Sequence, residues 1–130
     1  NTGLNAARGE YIAFIDADDW IEMQAIETMY KHAKDNDCEV VQCNHKIVKD
    51  DSVENISNEI PVYKVLNEEE IEIYLKGQLI QGKLRTYAWD KIYKLSFLKD
   101  NNLYFSLTKN INKKIKNAIP LKKPHVFIGL

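Results

Sequence analysis

No apolar run in the 130 residues approaches the roughly 18 that a membrane-spanning helix needs. No signal peptide is visible, and the chain opens at Asn1 rather than Met, with a helix already under way, as an internal cut would leave it. Cysteine is limited to Cys38 and Cys43. They stand five apart in a strand-like run, which puts them on opposite faces, so a bond between them is not expected. Buried free thiols in a reducing compartment are the expectation. There is no Gly-x-Gly-x-x-Gly, no P-loop pattern and no internal repeat. Acidic residues are missing altogether after Asp100.

What is present is an ordinary globular composition, 45% hydrophobic and 28% charged, in a length that allows one domain at most. The net charge of −1 hides an uneven distribution. Residues 1–105 hold all 19 acidic side chains and 12 of the 18 basic ones, whereas residues 106–130 hold six lysines and no acid. That shift divides the chain into a patterned portion, 1–105, and a basic, atypical tail, 106–130. The tail lacks a sustained amphipathic face, and Pro120 and Pro124 break it. A solvated end is expected there, and a nucleic-acid partner is not.

Residues 11–20 organise the rest. Tyr11-Ile12-Ala13-Phe14-Ile15 reads as a strand buried on both faces, of the kind found inside a parallel sheet. It runs directly into Asp16, Asp18 and Asp19, which places three carboxylates at its carboxyl end, where ligands bind in open α/β sheets. Carboxylates so crowded repel one another. A divalent cation such as Mg²⁺ or Mn²⁺ would offset the repulsion, completing its shell with water and substrate phosphates.

Elsewhere the pattern gives a helix ending at Gly9, a helix over 20–36 and a strand over 38–48. A polar loop follows over 49–59, then a short edge strand over 60–66. A helix capped by Asn67 runs to about residue 76, with 77–82 as loop. His45 is expected as a core histidine rather than a metal ligand. Ser96 should cap a short helix reaching Asn102, with a small strand at 103–105. Residues 86–97 are aromatic: Tyr87, Trp89, Tyr93 and Phe97 surround Asp90 and Lys91. Taken alone, the stretch reads first as packing; an aromatic plate beside an acid and a base also suits a sugar ring.

The passage from Asn1-Thr2-Gly3 through Ala7-Arg8-Gly9-Glu10-Tyr11-Ile12 to Asp16-Ala17-Asp18-Asp19-Trp20 strongly resembles family 2 glycosyltransferases of the GT-A fold. A second passage, Trp89-Asp90-Lys91-Ile92-Tyr93 followed by Asn101-Asn102-Leu103-Tyr104-Phe105, is similar to a later segment of that family. The resemblance implies a partial, Rossmann-like α/β domain over 1–105, with a mixed, mostly parallel sheet flanked by helices. It implies transfer of a sugar from a nucleotide-diphospho-sugar to the hydroxyl of a glycan or lipid-linked acceptor, with inversion, in polysaccharide or cell-surface glycan synthesis.

By the same resemblance, Asp16 and Asp18 would bind the nucleotide-sugar. Asp18 and Asp19 would hold Mn²⁺ or Mg²⁺, and Trp89, Asp90 and Lys91 would lie near the sugar or acceptor. A cytoplasmic enzyme, peripheral at the inner face of the membrane, is implied. The family's opening strand should precede Asn1, and its Glu-Asp base pair has no counterpart after Phe105, so no catalytic base is named. A sheet short of that strand should expose an apolar edge and favour self-association. Two other classes remain: an inactive remnant or sugar-binding module, and a phosphohydrolase. The latter is disfavoured because Asp19-Trp20 follows the Asp-x-Asp where that chemistry wants Thr or Val and then Gly.

Overall fold

The computed structural model describes residues 1–56, 63–82 and 87–105. Its elements are α1 (Thr2–Ala6), β1 (Tyr11–Ala13), α2 (Ala25–Asp35), β2 (Val40–Gln42), β3 (His45–Lys49), β4 (Ser52–Ile56), α3 (Glu68–Ile80), β5 (Lys91–Lys94) and α4 (Leu95–Asp100). The basic tail lies outside the described residues.

The central sheet follows from alternation along β1. Tyr11 and Ala13 face α2 and join Met29, Ala33, Cys38, Val41 and Ile92 in one cluster. Ile12 and Phe14 face the other way, onto Leu4 of α1 and Leu95 and Leu98 of α4. A period of two thus splits one apolar run between two cores. The run expected to be a strand buried on both faces is only partly so: Tyr11–Ala13 form the ladder and are half-buried, Ile15 is 50% exposed, and β1 stands at the edge of the described sheet.

The sheet has the order β1-β5-β2, and β5 runs antiparallel to both neighbours. Strands β1 and β2 point the same way but do not touch. A mostly parallel sheet is what the sequence suggests; among the described strands every ladder is antiparallel. The register aligns Ala13, Ile92 and Val41 in one row and Ile12, Tyr93 and Val40 in the next. The first row packs on α2, the second on the opposite layer.

Several boundaries differ from the sequence expectation for identifiable reasons. The strand expected over 38–48 is divided: β2 ends at Gln42, with the Cys43 N–H still bonding the Asp90 carbonyl in register at 2.9 Å, and the chain resumes as β3 at His45. β3 then pairs with β4 in a hairpin that turns at Asp50 and Asp51, where a loop is expected. Helix α2 starts at Ala25 and leaves Trp20 to Gln24 outside it. It ends with Asp37 in the left-handed region (φ 49°) and the Cys38 N–H on the Ala33 carbonyl, a Schellman-type stop.

Helix α3 begins with the expected Asn67 cap, completed by Glu70 into a reciprocal capping box. It runs through Gly77 to Ile80, and Gly82 (φ 66°) takes the left-handed position beyond it. Ser96 does not cap α4; the Leu95 N–H is satisfied by the Glu10 carbonyl at 2.8 Å. Gly9 is not a helix stop either. A Cβ there would meet the Tyr11 carbonyl oxygen at 3.0 Å, so its small size serves a close approach. Of the strand expected over 60–66, residues 60–62 lie outside the described residues; Leu66 is buried against Ile71. Residues 103–105 make no strand. Both cysteines are free, as expected.

Candidate functional site

Because β5 runs against β1, the start of one lies beside the end of the other. Ala13 pairs with Ile92, so the chain leaving β1 passes the chain entering β5. This brings residues 14–16 next to residues 87–89 across more than seventy positions of sequence. The space between them is a cleft of about 750 Å³ lined by Ala13, Phe14, Ile15, Asp16, Tyr87, Ala88, Trp89 and Phe105.

Its walls are aromatic. Tyr87 and Trp89 are stacked, with ring centroids 5.2 Å apart. His45 meets the Trp89 ring edge-on at 4.7 Å. Opposite them, Phe105 stands edge-on to Phe14 at 4.9 Å, and Phe14 touches Tyr93 at 5.9 Å. Phe105 is held by Asn1, whose side-chain amide donates to the Phe105 carbonyl (2.9 Å) and accepts from its N–H (2.8 Å). The two sequence passages that carry the family resemblance are thereby joined. Phe14, Asn1 and Phe105 are site residues that sequence reasoning does not single out. The alternation of Ile12 with Phe14 is the one sequence signal for the first.

Asp16 is the carboxylate on the rim of this cleft. Its carbonyl accepts the Asp19 N–H at 3.2 Å, which closes a tight turn over 16–19 and leaves all three aspartates exposed. Asp18 and Asp19 stand on the turn, outside the cleft lining. Among the described residues none of the three is paired with a lysine or arginine. Nor, among those residues, is any group of three or more His, Cys, Asp or Glu gathered closely enough to hold a metal ion. A cation at this turn would therefore depend on ligands from water and substrate, as Mg²⁺ commonly does.

Asp90 and Lys91, expected beside the sugar with Trp89, are placed differently. Both are buried and neither lines the cleft. They pair with each other; Asp90 Oδ2 also accepts from Gln42 Nε2 at 3.0 Å, and Lys91 Nζ donates to the Tyr87 carbonyl at 2.7 Å. The lysine acts on backbone behind the aromatic wall. Trp89 alone of that trio reaches the cleft.

Burial keeps the protons on two further groups near the cleft, Tyr93 and Cys43. Burial raises the Tyr93 phenol well above its ordinary value, and the Asp90 carboxylate adds to the effect. Burial, then Asp90, likewise raises the Cys43 thiol. Neither supplies a nucleophile at neutral pH, so the polar chemistry at this end of the sheet rests with the aspartates.

The family model for Glycosyl transferase family 2 matches residues 1–98. The putative glycosyltransferase EpsH of Bacillus subtilis (strain 168) is 37% identical over 107 residues, covering 82% of this chain and 30% of the relative. The uncharacterized glycosyltransferase EpsJ of the same organism is 28% identical over 105 residues, covering 81% and 30%. The chain thus spans about 30% of the length of these curated relatives. Among solved structures, S. aureus TarS 1–349 in complex with UDP-GlcNAc aligns with a TM-score of 0.62 at 20% identity, over 100% of this chain and 37% of that one. That likeness establishes the fold, the α/β architecture of GT-A enzymes. With three quarters of its length inside the family match, the chain belongs to glycosyl transferase family 2.

Proposed function

We propose that this chain forms part of the donor-binding region of an enzyme that moves a sugar from a nucleoside diphosphate to an acceptor hydroxyl. The observation that carries the reading is Asp16 on the rim of an aromatic-walled cleft, at the end of the strand that both cores enclose. Ring faces such as those of Tyr87 and Trp89 suit the apolar face of a sugar or base, and TarS was crystallised with UDP-GlcNAc and with UDP.

Asp16 and Asp18 would bind the nucleotide-sugar, and Asp18 with Asp19 would hold Mn²⁺ or Mg²⁺. The donor set fits: hard carboxylate oxygens, exposed and free of cationic partners among the described residues. Such an ion, when bound, neutralises charge building on the leaving diphosphate. The acceptor oxygen forms its bond to the anomeric carbon as the carbon–oxygen bond to the diphosphate breaks. That single displacement inverts the configuration, and the hydroxyl proton passes to a base. No acid follows Asp100, so no residue of this chain is given the base role.

A glycan or lipid-linked acceptor in cell-surface polysaccharide synthesis completes the reading. Peripheral attachment to the inner face of the membrane belongs to it, supported by the six lysines of residues 106–130. Among the described residues no helix is long and apolar enough to cross a membrane.

Calorimetry with UDP and Mn²⁺ tests the assignment. Wild type should release heat that Asp18→Ala loses; equal heats would remove the metal role. A second reading is a sugar-binding module without turnover, which the stacked rings of the cleft wall would serve equally well. Sugar transfer assayed with a panel of nucleotide-sugars separates the two.

A further inference from the structure

We propose that Lys91 is a positioning residue, which sets the Tyr87–Trp89 aromatic wall through its hydrogen bond to the Tyr87 carbonyl while Asp90 and Gln42 anchor it from behind. A lysine that served only to neutralise Asp90 would have no reason to reach a backbone oxygen four residues earlier. Lys91 Nζ does both, at 2.7 Å from the Tyr87 carbonyl and in contact with Asp90 Oδ1. The carboxylate is in turn fixed on its other oxygen by Gln42 Nε2 at 3.0 Å, a side chain of β2.

The Asp90 backbone is also tied down. Its carbonyl accepts the Cys43 N–H at 2.9 Å and lies 3.4 Å from the Cys43 thiol. Two neighbouring residues of a distant segment, Gln42 and Cys43, thus join Lys91 in holding the loop that enters β5. Asp90 is 1% and Lys91 7% exposed, so the pair is shielded from water and from salt, and its geometry persists where a surface pair would exchange partners. Immediately outside it stand the stacked rings. Holding the Tyr87 carbonyl fixes the peptide from which the Tyr87 ring projects, two residues before Trp89.

The consequence for binding rests on the cleft being the one assigned above to the sugar nucleotide. A stacking platform selects a ring only if its plane is fixed before the ligand arrives. The brace removes that ordering cost from the binding step.

The test uses a Trp20→Phe background, which leaves Trp89 as the sole indole, since the sequence holds two tryptophans. Lys91→Met alone would leave a buried carboxylate unpaired, so the double variant Asp90→Asn/Lys91→Met is compared with its parent. The double variant should unfold cooperatively in urea. Its near-ultraviolet circular dichroism from the Tyr87–Trp89 pair should collapse, acrylamide should quench Trp89 faster, and affinity for UDP-GlcNAc with Mn²⁺ should fall about tenfold, the size of one lost stacking contact.

Unchanged dichroism and quenching in a folded double variant would overturn the proposal. If the double variant does not fold, the wild type decides. In ¹⁵N-lysine spectra the Lys91 ammonium protons should be slow to exchange and show cross-relaxation to Tyr87, and a fast-exchanging ammonium would overturn the proposal equally. Dichroism and quenching need no ligand. A parent protein that shows the spectral response but binds no UDP-GlcNAc would count against the functional reading and leave the brace standing.

Discussion

Ile92 should be the most sensitive apolar position in the sheet. It lies on the middle strand, is 2% exposed, and packs against α2 in the same cluster as Met29, Ala33, Cys38 and Val41. Ile92→Ala removes three carbons, worth about 2.4 kcal/mol at about 0.8 kcal/mol per buried group. Partial relaxation around the void adds about 1 kcal/mol, for a total of about 3.5 kcal/mol. With a denaturant slope of about 1.5 kcal/mol per molar urea, the midpoint should drop by about 2 M.

The control is the same chemical change at Ile73 of α3, which is 64% exposed. Ile73→Ala should move stability by no more than about 0.5 kcal/mol. Urea titrations followed by far-ultraviolet dichroism and by tryptophan fluorescence measure both. Equal shifts for the two variants would show that β5 is not the centre of the core, and the two-layer arrangement around it would have to be abandoned.

Asn67→Ala should destabilise α3 by about 1 kcal/mol, because it removes the side-chain acceptor of the Glu70 N–H while the residue-67 N–H can still donate to the Glu70 carboxylate; thermal melts read it, and Glu70→Ala added to that variant should cost a further, smaller amount. Glu10 is held below its ordinary value, first by the hydrogen bond from Lys34. A lowered folded value means its contribution is present above about pH 4.5 and is lost as pH falls through the folded value. Glu10→Gln should therefore flatten the acid limb of a stability-versus-pH curve, and high salt should do the same to wild type. The Cys38 thiol is pushed up to about 11, chiefly by burial. Above its ordinary value near 9.0 the unfolded chain releases this proton while the folded chain keeps it, so stability falls from there toward pH 11. Cys38→Ala should lessen that alkaline fall in urea titrations at stepped pH.

Sequence pattern exposed the features whose causes are local. The run from Tyr11 to Ile15 is legible as a strand because every residue in it is apolar, but its ladder ends at Ala13, before the charges. Asn67 and Glu70 announce a helix start because a cap is made by residues three apart. What was not legible depends on distance. Nothing in residues 11–13 or 40–42 says that residues 91–94 will come between them. The strand β4 carries Ser52, Glu54 and Asn55, residues that read as loop; its ladder is backbone bonding to β3, which composition does not report. Gly77 reads as a break, yet α3 continues past it, with Gln78 buried one residue later. In the candidate site, Asp16 stands out in the sequence by residue type and spacing and Trp89 by the family resemblance, and both line the cleft. Asp90 and Lys91 were found as residues but not in orientation, since a charged side chain defaults to the surface until a partner of opposite sign is buried with it.

The interposition of β5 also sets an order of events for a chain emerging from the ribosome. Among the described residues β1 and β2 have no ladder except through β5, and β5 ends at Lys94. Until that residue is clear of the exit tunnel, just over eighty positions after the end of β1 has appeared, the earlier strands can collapse on α2 but have no β5 to register against. The hairpin of β3 and β4, closed across two residues, is free to form at once. Assembly of this sheet is therefore a late and non-local event, and translation rate near residue 94 becomes a factor in its yield.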